Sequence, residues 1–208
     1  MKDIILIGGG GHCKSAIEVI ESAGLVIAGI LDKRADEMES VLGYPVLGNY
    51  DDLSQYVDKY LFLITVGNIK NADVRVDIYN HIIKSGGSMA TIISPFAHVS
   101  KHAQIGEGTI VMHNACINAE AKVGNNVIVN TFANIEHDCF VDDFCHISTG
   151  AMLNGGSQVG KRSFLGSGSV VGQYISICSD VVVGAGGAVC GDITEKGIYA
   201  GVPVKRIK

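Results

Sequence analysis

An imidazole and two carboxylates stand close together in the segment NIEHDC, which covers residues 134–139. His137 has Glu136 before it and Asp138 after it, and a second histidine, His146, follows nine residues later. A neutral imidazole can take a proton from an amine or a hydroxyl, and a carboxylate partner fixes its tautomer and raises its basicity. An isolated surface histidine is more often merely solvated, but the flanking acids favour general-base chemistry at this position.

A second candidate site lies near the start of the chain, where four glycines follow a short apolar run. Backbone N–H groups in such a turn can approach phosphate oxygens at a helix N-terminus. An aspartate at the end of the next predicted strand could accept hydrogen bonds from a ribose or a base. The candidate substrate-binding residues are therefore Gly8, Gly9, Gly10, Gly11, His12 and Asp32. Cys13 stands where the dinucleotide fingerprint has its third glycine, so a tight structural turn fits about as well.

The elements that must carry His137 repeat every six residues. The 102 residues 93–194 divide into 17 hexapeptides, and each opens with Val, Ile or Leu and has a compact residue at its fifth position. This pattern indicates a parallel β-helix with three short faces per coil. No loop interrupts the repeat, so any site must consist of side chains on the coil surface, and we expect a neighbouring chain to form its opposite wall. Three flat faces favour a closed homotrimer.

The residues before the repeat predict a different fold. Strands are predicted over 3–7, 25–31 and 60–66, and helices after the glycines, over 51–57 and over 71–85. This alternation is typical of a Rossmann-like α/β half-domain, whose ligands bind at the carboxyl ends of parallel strands. We therefore predict an α/β domain over 1–88 and a β-helix domain over 89–208.

Composition argues against several classes of function. The net charge of −5 argues against a surface for nucleic acid or for anionic membranes. The apolar run 4–7 is too short for a signal peptide or a membrane span, which predicts a cytoplasmic protein with no membrane insertion. Cys139 and Cys145 occupy fifth positions of adjacent hexads, so we interpret them as packing residues in a reducing compartment. The chain has no CxxC pair that could hold a structural zinc ion.

Four features together resemble the bacterial hexapeptide-repeat acyltransferases that act on nucleotide-linked amino sugars or on sialic acid. They are the hexapeptide solenoid, the GGGGHCK turn at 8–14, the IEHDC segment with His146 after it, and the ending YAGVPVKR at 199–206. The likeness covers essentially the whole chain. It implies a left-handed parallel β-helix, a homotrimer, acetyl-CoA as the donor, no required metal, and an N-terminal domain that binds the sugar nucleotide.

The resemblance also implies roles for individual residues. His137 is the base and Asp138 its partner, while His146 lies beside the thioester and completes the predicted catalytic set. The backbone amide of Gly155 faces the acetyl carbonyl. The coenzyme-binding residues that we expect are His146, Gly155, Ser167, Ala185 and Lys205.

The expected function is transfer of an acetyl group from acetyl-CoA to the amino group of a nucleotide-linked deoxyamino sugar in surface-glycan biosynthesis. O-acetylation of sialic acid is an alternative on the same scaffold. A more distant alternative is a zinc enzyme of the γ-carbonic anhydrase kind, with ligands drawn from His98, His102, His113, His137 and His146. That family has no N-terminal nucleotide domain. A non-catalytic sugar-nucleotide sensor is a third alternative.

Overall fold

The computed structural model describes residues 2–208, which form two compact units. The first unit contains the described residues up to Gly67 and residues 73–95, and the second contains residues 68–72 and 96–208. The division after Pro95 lies beyond the predicted boundary at residues 88 and 89, because the strand Ser88–Met89 pairs with the parallel sheet of the first unit. Among residues 2–208, no helix has the length and apolar character needed to cross a membrane.

The first unit is built on a mostly parallel sheet between helices. The strands of this sheet are β1 (Ile4–Ile7), β2 (Ile27–Leu31), β3 (Ser40–Val41), β4 (Tyr44–Gly48), β5 (Leu61–Ile64) and β6 (Ser88–Met89), and β7 (Ile92–Ile93) follows outside it. Its helices are α1 (Gly11–Ser22) and α2 (Asp73–Lys84), with 3-10 helices at Ala35–Glu37 and Tyr50–Gln55. The first six strands lie in the order β3-β4-β2-β1-β5-β6, so β1 is flanked by β2 and β5.

Most of the elements predicted for this unit are present. All four residues of β1 are buried, as expected for a strand covered on both faces of a parallel sheet. The predicted helix over 51–57 is a 3-10 helix with a capping box at Asn49. The antiparallel pair β3 and β4 is not among the predicted elements, because β3 has only two residues and Pro45 in β4 argues against a strand.

The second unit is a left-handed parallel β-helix with three sheets, as the hexapeptide pattern and the resemblance predict. Sheet I contains β10 (Ile110–Val111), β13 (Ile128–Val129), β16 (His146–Ile147), β19 (Phe164–Leu165), β22 (Val181–Val183), β24 (Gly197–Gly201) and β25 (Val204–Arg206). Sheet II contains β8 (His98–Val99), β11 (Cys116–Ile117), β14 (Asn134–Ile135), β17 (Met152–Leu153), β20 (Val170–Val171) and β23 (Ala188–Val189). Sheet III contains β9 (Gln104–Ile105), β12 (Lys122–Val123), β15 (Phe140–Val141), β18 (Gln158–Val159) and β21 (Ser176–Ile177).

The aliphatic first residue of each hexad fills the interior. From Val111 to Val189 these residues are at most 4% exposed. Cys139 and Cys145 are buried free thiols at the compact fifth positions of successive hexads. The residue before each aliphatic residue points away from this interior, although four such residues in sheet I are also buried, namely Ile110, Ile128, His146 and Phe164.

The turns between strands share one backbone conformation. Every hexad from Gly108 to Gly186 has its fourth residue in the left-handed region, with φ between 55° and 70°. The amide of this residue donates to a carbonyl of the preceding coil, as Gly156 N does to His137 O at 2.9 Å. These bonds stack the third residue of a turn on the third residue of the equivalent turn in the next coil. Surface groups that are one coil apart therefore lie next to each other.

Substitution of an inward residue of a solenoid strand should lower the free energy of unfolding far more than substitution of the outward residue beside it. Ile177 is 3% exposed and lies between Val159 and Ile193, so Ile177→Ala should lower the free energy of unfolding by about 2–5 kcal/mol through lost burial and a cavity. Ser176→Ala, on the outward side of the same strand, should change it by less than about 0.5 kcal/mol. Chemical denaturation measures both. Equal losses in the two variants would contradict the assignment of Ile177 to the core.

Candidate active site

His137 and Asp138 form a hydrogen-bonded pair on the coil surface. His137 Nδ1 lies 2.7 Å from Asp138 Oδ2, and the two side chains are 52% and 61% exposed. An ionised carboxylate can only accept, so this contact assigns the proton to Nδ1 and leaves Nε2 as the basic nitrogen of the neutral ring. The pair therefore has the arrangement of an oriented general base that remains accessible to a substrate.

The imidazole of His137 packs directly on Gly155. A Cβ atom on Gly155 would lie 2.6 Å from both Cε1 and Nε2 of the ring, closer than any real contact of this kind. The stacking of the turns explains this proximity, because Gly155 is the third residue of the turn one coil further on. The basic edge of His137 thus lies against the backbone that was predicted to face the acetyl carbonyl.

Glu136 does not share this pairing. Its carboxylate accepts hydrogen bonds from Asn118 Nδ2 and Asn134 Nδ2, each at 3.0 Å. The side chains alternate along the strand and the following turn, so Glu136 lies with the amides of sheet II while Asp138 reaches the ring. Of the two acids that flank His137 in sequence, the structure brings one to the imidazole.

His146 has a different environment from His137. It is 8% exposed, its Nδ1 lies 2.9 Å from Asn68 O, and its Nε2 lies 3.2 Å from Asn130 Nδ2. The Phe164 ring meets it edge to face, with centroids 5.1 Å apart. Both ring nitrogens are engaged within this chain, and the expected place of His146 beside the thioester stays a prediction.

The remaining predicted coenzyme residues lie toward the far end of the solenoid. Ser167 and Ala185 occupy successive turns between sheet I and sheet II, and Gly186 N donates to Ser167 O at 2.9 Å. Both side chains are exposed. Lys205 is in β25, which pairs with β24 in sheet I.

These residues fall into two groups on the solenoid. His137, Asp138 and Gly155 lie on turns that lead from sheet II to sheet III, whereas Ser167 and Ala185 lie on turns that lead from sheet I to sheet II. The two groups therefore flank opposite edges of sheet II. Their separation in one chain is the geometric reason to expect a second chain at the site.

The glycine turn of the first unit is held rigidly from two sides. Gly8 has a φ of 107°, and a Cβ there would lie 2.5 Å from Val66 Cγ2, so only glycine fits. Thr65 Oγ1 donates to Gly8 O at 2.7 Å, and Gly9 N donates to Asp32 Oδ2 at 2.6 Å. Gly10 is the N-cap of α1 and makes no side-chain cap, and a Cβ on Gly10 or Gly11 would meet only open space. The turn thus combines a fixed backbone with an open helix N-terminus.

Asp32 maintains this turn as a carboxylate. Burial alone would raise its pKa, but hydrogen bonds from Gly9 N, from Arg34 N and from the Arg34 side chain outweigh burial, and the net pKa is lowered. Oδ1 accepts both bonds from Arg34 and Oδ2 accepts the bond from Gly9 N, so a second lone pair remains on Oδ2. Asp32 therefore anchors the turn first, and any contact to a ribose must use this remaining acceptor position.

Sequence reasoning missed three residues that shape these sites, Thr65, Asn68 and Asn130. Asn130 could have been found, because the coil spacing places residue 128 beside residue 146 and residue 130 is the next outward position on that strand edge. Thr65 and Asn68 belong to the connection after β5, which no pattern in the sequence relates to the glycine turn or to the solenoid. Among residues 2–208, no group of three or more His, Cys, Asp or Glu side chains could hold a metal ion.

Comparison with known proteins finds a matching family model for the first unit and several relatives of the chain. Residues 3–82 match the model of the PglD N-terminal domain. The UDP-N-acetylbacillosamine N-acetyltransferase of Bacillus subtilis (strain 168) is 35% identical over 117 residues, which are 54% of this chain and 52% of that protein. The match thus spans about half the length of this curated relative.

Two solved structures match along essentially the whole chain. A variant of perosamine N-acetyltransferase from Caulobacter crescentus, in complex with CoA and GDP-perosamine, is 33% identical with a TM-score of 0.93, over 100% of this chain and 98% of that one. The acetyltransferase domain of PglB from Neisseria gonorrhoeae, in complex with acetyl coenzyme A, is 33% identical with a TM-score of 0.91, over 99% of each chain.

The anchoring role of Asp32 predicts how stability depends on pH. Asp32→Asn should lower the free energy of unfolding at neutral pH by about 1–3 kcal/mol, the scale of hydrogen bonds to a buried charged group. Because the folded-state pKa is lowered, this stabilisation is present above the unfolded pKa of about 4 and is lost as pH falls through the folded value. Urea denaturation at several pH values should show the two proteins converging in acid.

Arg34→Ala serves as the matched control. Arg34 N still donates to Asp32 in this variant, and the side-chain bond that is lost involves a guanidinium that is 54% exposed, so the loss should be smaller. A constant difference between wild type and Asp32→Asn across the acid range would contradict the anchoring role of the carboxylate.

Proposed function

The chain belongs to the hexapeptide-repeat sugar N-acetyltransferase family, and from this premise we propose that it transfers the acetyl group of acetyl-CoA to the amino group of a nucleotide-linked deoxyamino sugar. The relatives named above support both substrates, since they are N-acetyltransferases of amino sugars linked to UDP or GDP. The product would enter the biosynthesis of a surface glycan. Acetyl-CoA and sugar nucleotides are made in the cytoplasm, so we place the reaction there.

The observation that carries this proposal is the His137–Asp138 pair packed on Gly155. His137 Nε2 accepts a proton from the sugar amine as the amine nitrogen attacks the thioester carbon. Asp138 accepts the Nδ1 hydrogen bond and stabilises the imidazolium that forms. The backbone amide of Gly155 is the proposed donor to the developing oxyanion, and the coenzyme A thiolate then leaves with the bond pair.

The glycine turn of the first unit suits the nucleotide part of the acceptor. Backbone N–H groups at the start of α1 favour phosphate oxygens, and the open space at Gly10 and Gly11 allows close approach. His12 lies in the first turn of the same helix, and Asp32 Oδ2 offers one spare acceptor position for a ribose hydroxyl. Binding energy from this remote group would orient the amine for reaction.

The proposed active site is shared between chains of a homotrimer. With sheet II directed toward a threefold axis, the turns that carry Ser167 and Ala185 in one chain would approach the turns that carry His137 and Gly155 in the next. Acetyl-CoA would then lie between two chains, with Lys205 near its far end. This arrangement uses the opposite edges of sheet II, which one chain keeps apart.

Two of the three alternatives receive less support from the structure. O-acetylation of sialic acid would leave the glycine turn without a nucleotide to bind. The zinc alternative needs three histidines from neighbouring chains, whereas one of its candidates, His137, is paired with Asp138 and another, His146, has both nitrogens engaged.

The reaction can be tested by release of coenzyme A thiol over a panel of UDP-, GDP- and dTDP-linked 4-amino sugars, with the 4-hydroxy sugars as blanks. An amino sugar nucleotide should release thiol, and His137→Ala should lower kcat by about 10²-fold or more, the scale of a positioned general base. The KM for acetyl-CoA should change little, because His137 contributes to chemistry and only weakly to coenzyme binding.

His102→Ala is the control for this variant, since His102 is also an exposed histidine of the solenoid and has no assigned role. It should retain wild-type turnover. Turnover of His137→Ala within a few-fold of wild type would remove His137 from the mechanism, and thiol release with the hydroxy sugars alone would favour O-acetylation.

If each active site is shared between two chains, two different inactive variants should recover activity when they are combined in one trimer. His137→Ala removes the base, and Ser167→Trp should block the coenzyme path at an exposed turn without disturbing the core. In trimers refolded from an equal mixture, about one quarter of the sites would combine an intact His137 with an intact Ser167 from the next chain. Recovery of activity on that scale supports a shared site, whereas mixed trimers as inactive as both parents would contradict it.

A further inference from the structure

The carboxyl end of β5 extends beyond the strand that pairs with its outer edge. On that edge β6 pairs with Leu61 and Phe62, and Ala90 N donates to Phe62 O at 2.8 Å. Within residues 2–208, no strand pairs with this edge of β5 beyond Phe62. The next carbonyl groups that point the same way are those of Ile64 and Val66, because successive peptide groups of a strand alternate in direction. These two groups need donors from elsewhere, since an unpaired backbone carbonyl in a protein interior is costly.

Arg75, in α2, supplies both donors. Its Nη1 donates to Ile64 O at 3.1 Å and to Val66 O at 2.7 Å. The side chain is 1% exposed, and burial lowers the pKa of the guanidinium to about 9, so the ion is held at a cost in hydration. An apolar side chain of similar size could fill the same space without that cost, but it could not donate to the two carbonyl groups.

The strand end that Arg75 holds forms one wall of the glycine turn. Thr65 N donates to Ile7 O at 2.9 Å, and Thr65 Oγ1 donates to Gly8 O at 2.7 Å. Val66 packs directly on Gly8, where a Cβ atom would lie 2.5 Å from Val66 Cγ2. A shift of this strand end would therefore move Gly8 as well.

The N–H groups that begin α1 belong to the same turn. Gly10 is the N-cap of this helix, and Gly11 is its first residue. Such N–H groups bind an anion most tightly when they are oriented before the anion arrives. Asp32 fixes the turn on the β2 side by accepting the bond from Gly9 N. The turn is therefore held on two sides, by Asp32 and by the strand end that Arg75 holds.

We propose that Arg75 is a positioning residue for the acceptor, because it holds the end of β5 and thereby keeps the glycine turn in the conformation that binds the diphosphate of the sugar nucleotide. Thr65 and Val66 transmit this effect to Gly8, and Arg75 itself contacts no substrate. The role in acceptor binding rests on the proposed function, whereas the restraint of the turn does not. All of these residues belong to the first unit.

Arg75→Met tests the proposal, since it keeps most of the side-chain volume and removes both donors. Exchange of the Thr65 amide hydrogen with solvent deuterium, measured relative to the amides of β1, should become about tenfold faster, the scale of one lost hydrogen bond. The KM for the sugar nucleotide should rise by a similar factor. The KM for acetyl-CoA should not change, because the loss is confined to the orientation of the glycine turn.

Ile82→Ala is the matched control, because Ile82 is also a fully buried residue of α2 and its side chain has no donor. The cavity that it creates should destabilise the first unit as a whole, so exchange at Thr65 should increase no more than exchange in β1. The KM for the sugar nucleotide should keep its wild-type value. Arg75→Lys retains a cation that can donate to a carbonyl group, so its effects should be smaller than those of Arg75→Met. Arg75→Lys takes the place of Arg75→Met if the latter does not fold.

Equal acceleration of exchange at Thr65 and in β1 would show that Arg75 only stabilises the first unit, and it would overturn the proposal. Faster exchange at Thr65 with an unchanged KM for the sugar nucleotide would overturn the role in acceptor binding. Hydrogen exchange needs no substrate, and titration calorimetry with UDP, GDP and dTDP needs no turnover. Both measurements therefore remain decisive even if the wild-type protein acetylates none of the sugar nucleotides tested.

Discussion

The structure of the second unit depends on the register between coils. Parallel pairing joins each residue to the one 18 positions further on, as Ile110 pairs with Ile128, Cys116 with Asn134 and Lys122 with Phe140. This register requires an aliphatic residue at every inward position and a left-handed fourth residue in every turn. In return, it gives each outward side chain fixed neighbours above and below. A solenoid with this property can hold a catalytic group rigidly without any loop.

The stacked turns that contain His137, Gly155 and Tyr174 show why the register between coils requires glycine at particular positions. Gly155 leaves room for the His137 ring on one side, and Gly156, which follows it, leaves room for the Tyr174 ring on the other. A side chain at either glycine would displace one of these rings. The GG pair is visible in the sequence, but its purpose becomes clear only when the rings of the coils before and after it are seen in contact.

Much of the fold could be predicted from the sequence, because a period of six with an aliphatic first residue is typical of a parallel β-helix with three faces. The pairing of His137 with Asp138, and not with Glu136, depends on the left-handed backbone of Asp138, which the sequence does not reveal. Left-handed residues such as Phe132, Arg162 and Tyr174 have no intrinsic preference for that conformation and adopt it because the coil hydrogen bonds require it. The contact of His146 with Asn68 joins residues 78 positions apart, so no local pattern could predict it.

In the function that we propose, the two units apply the same physical principle to different parts of the reaction. In the first, Asp32 and Thr65 fix the glycine turn before any ligand arrives, and in the second, Asp138 and Gly155 fix the orientation of the base. Groups that are already ordered lose little conformational entropy when substrate binds, so more of the binding energy remains to orient the reacting amine. Because the solenoid core is made of inward side chains alone, outward residues on the turns can vary without loss of the fold. In the proposed function, the acceptor sugar can therefore change within this architecture while His137 and Asp138 stay where the register places them.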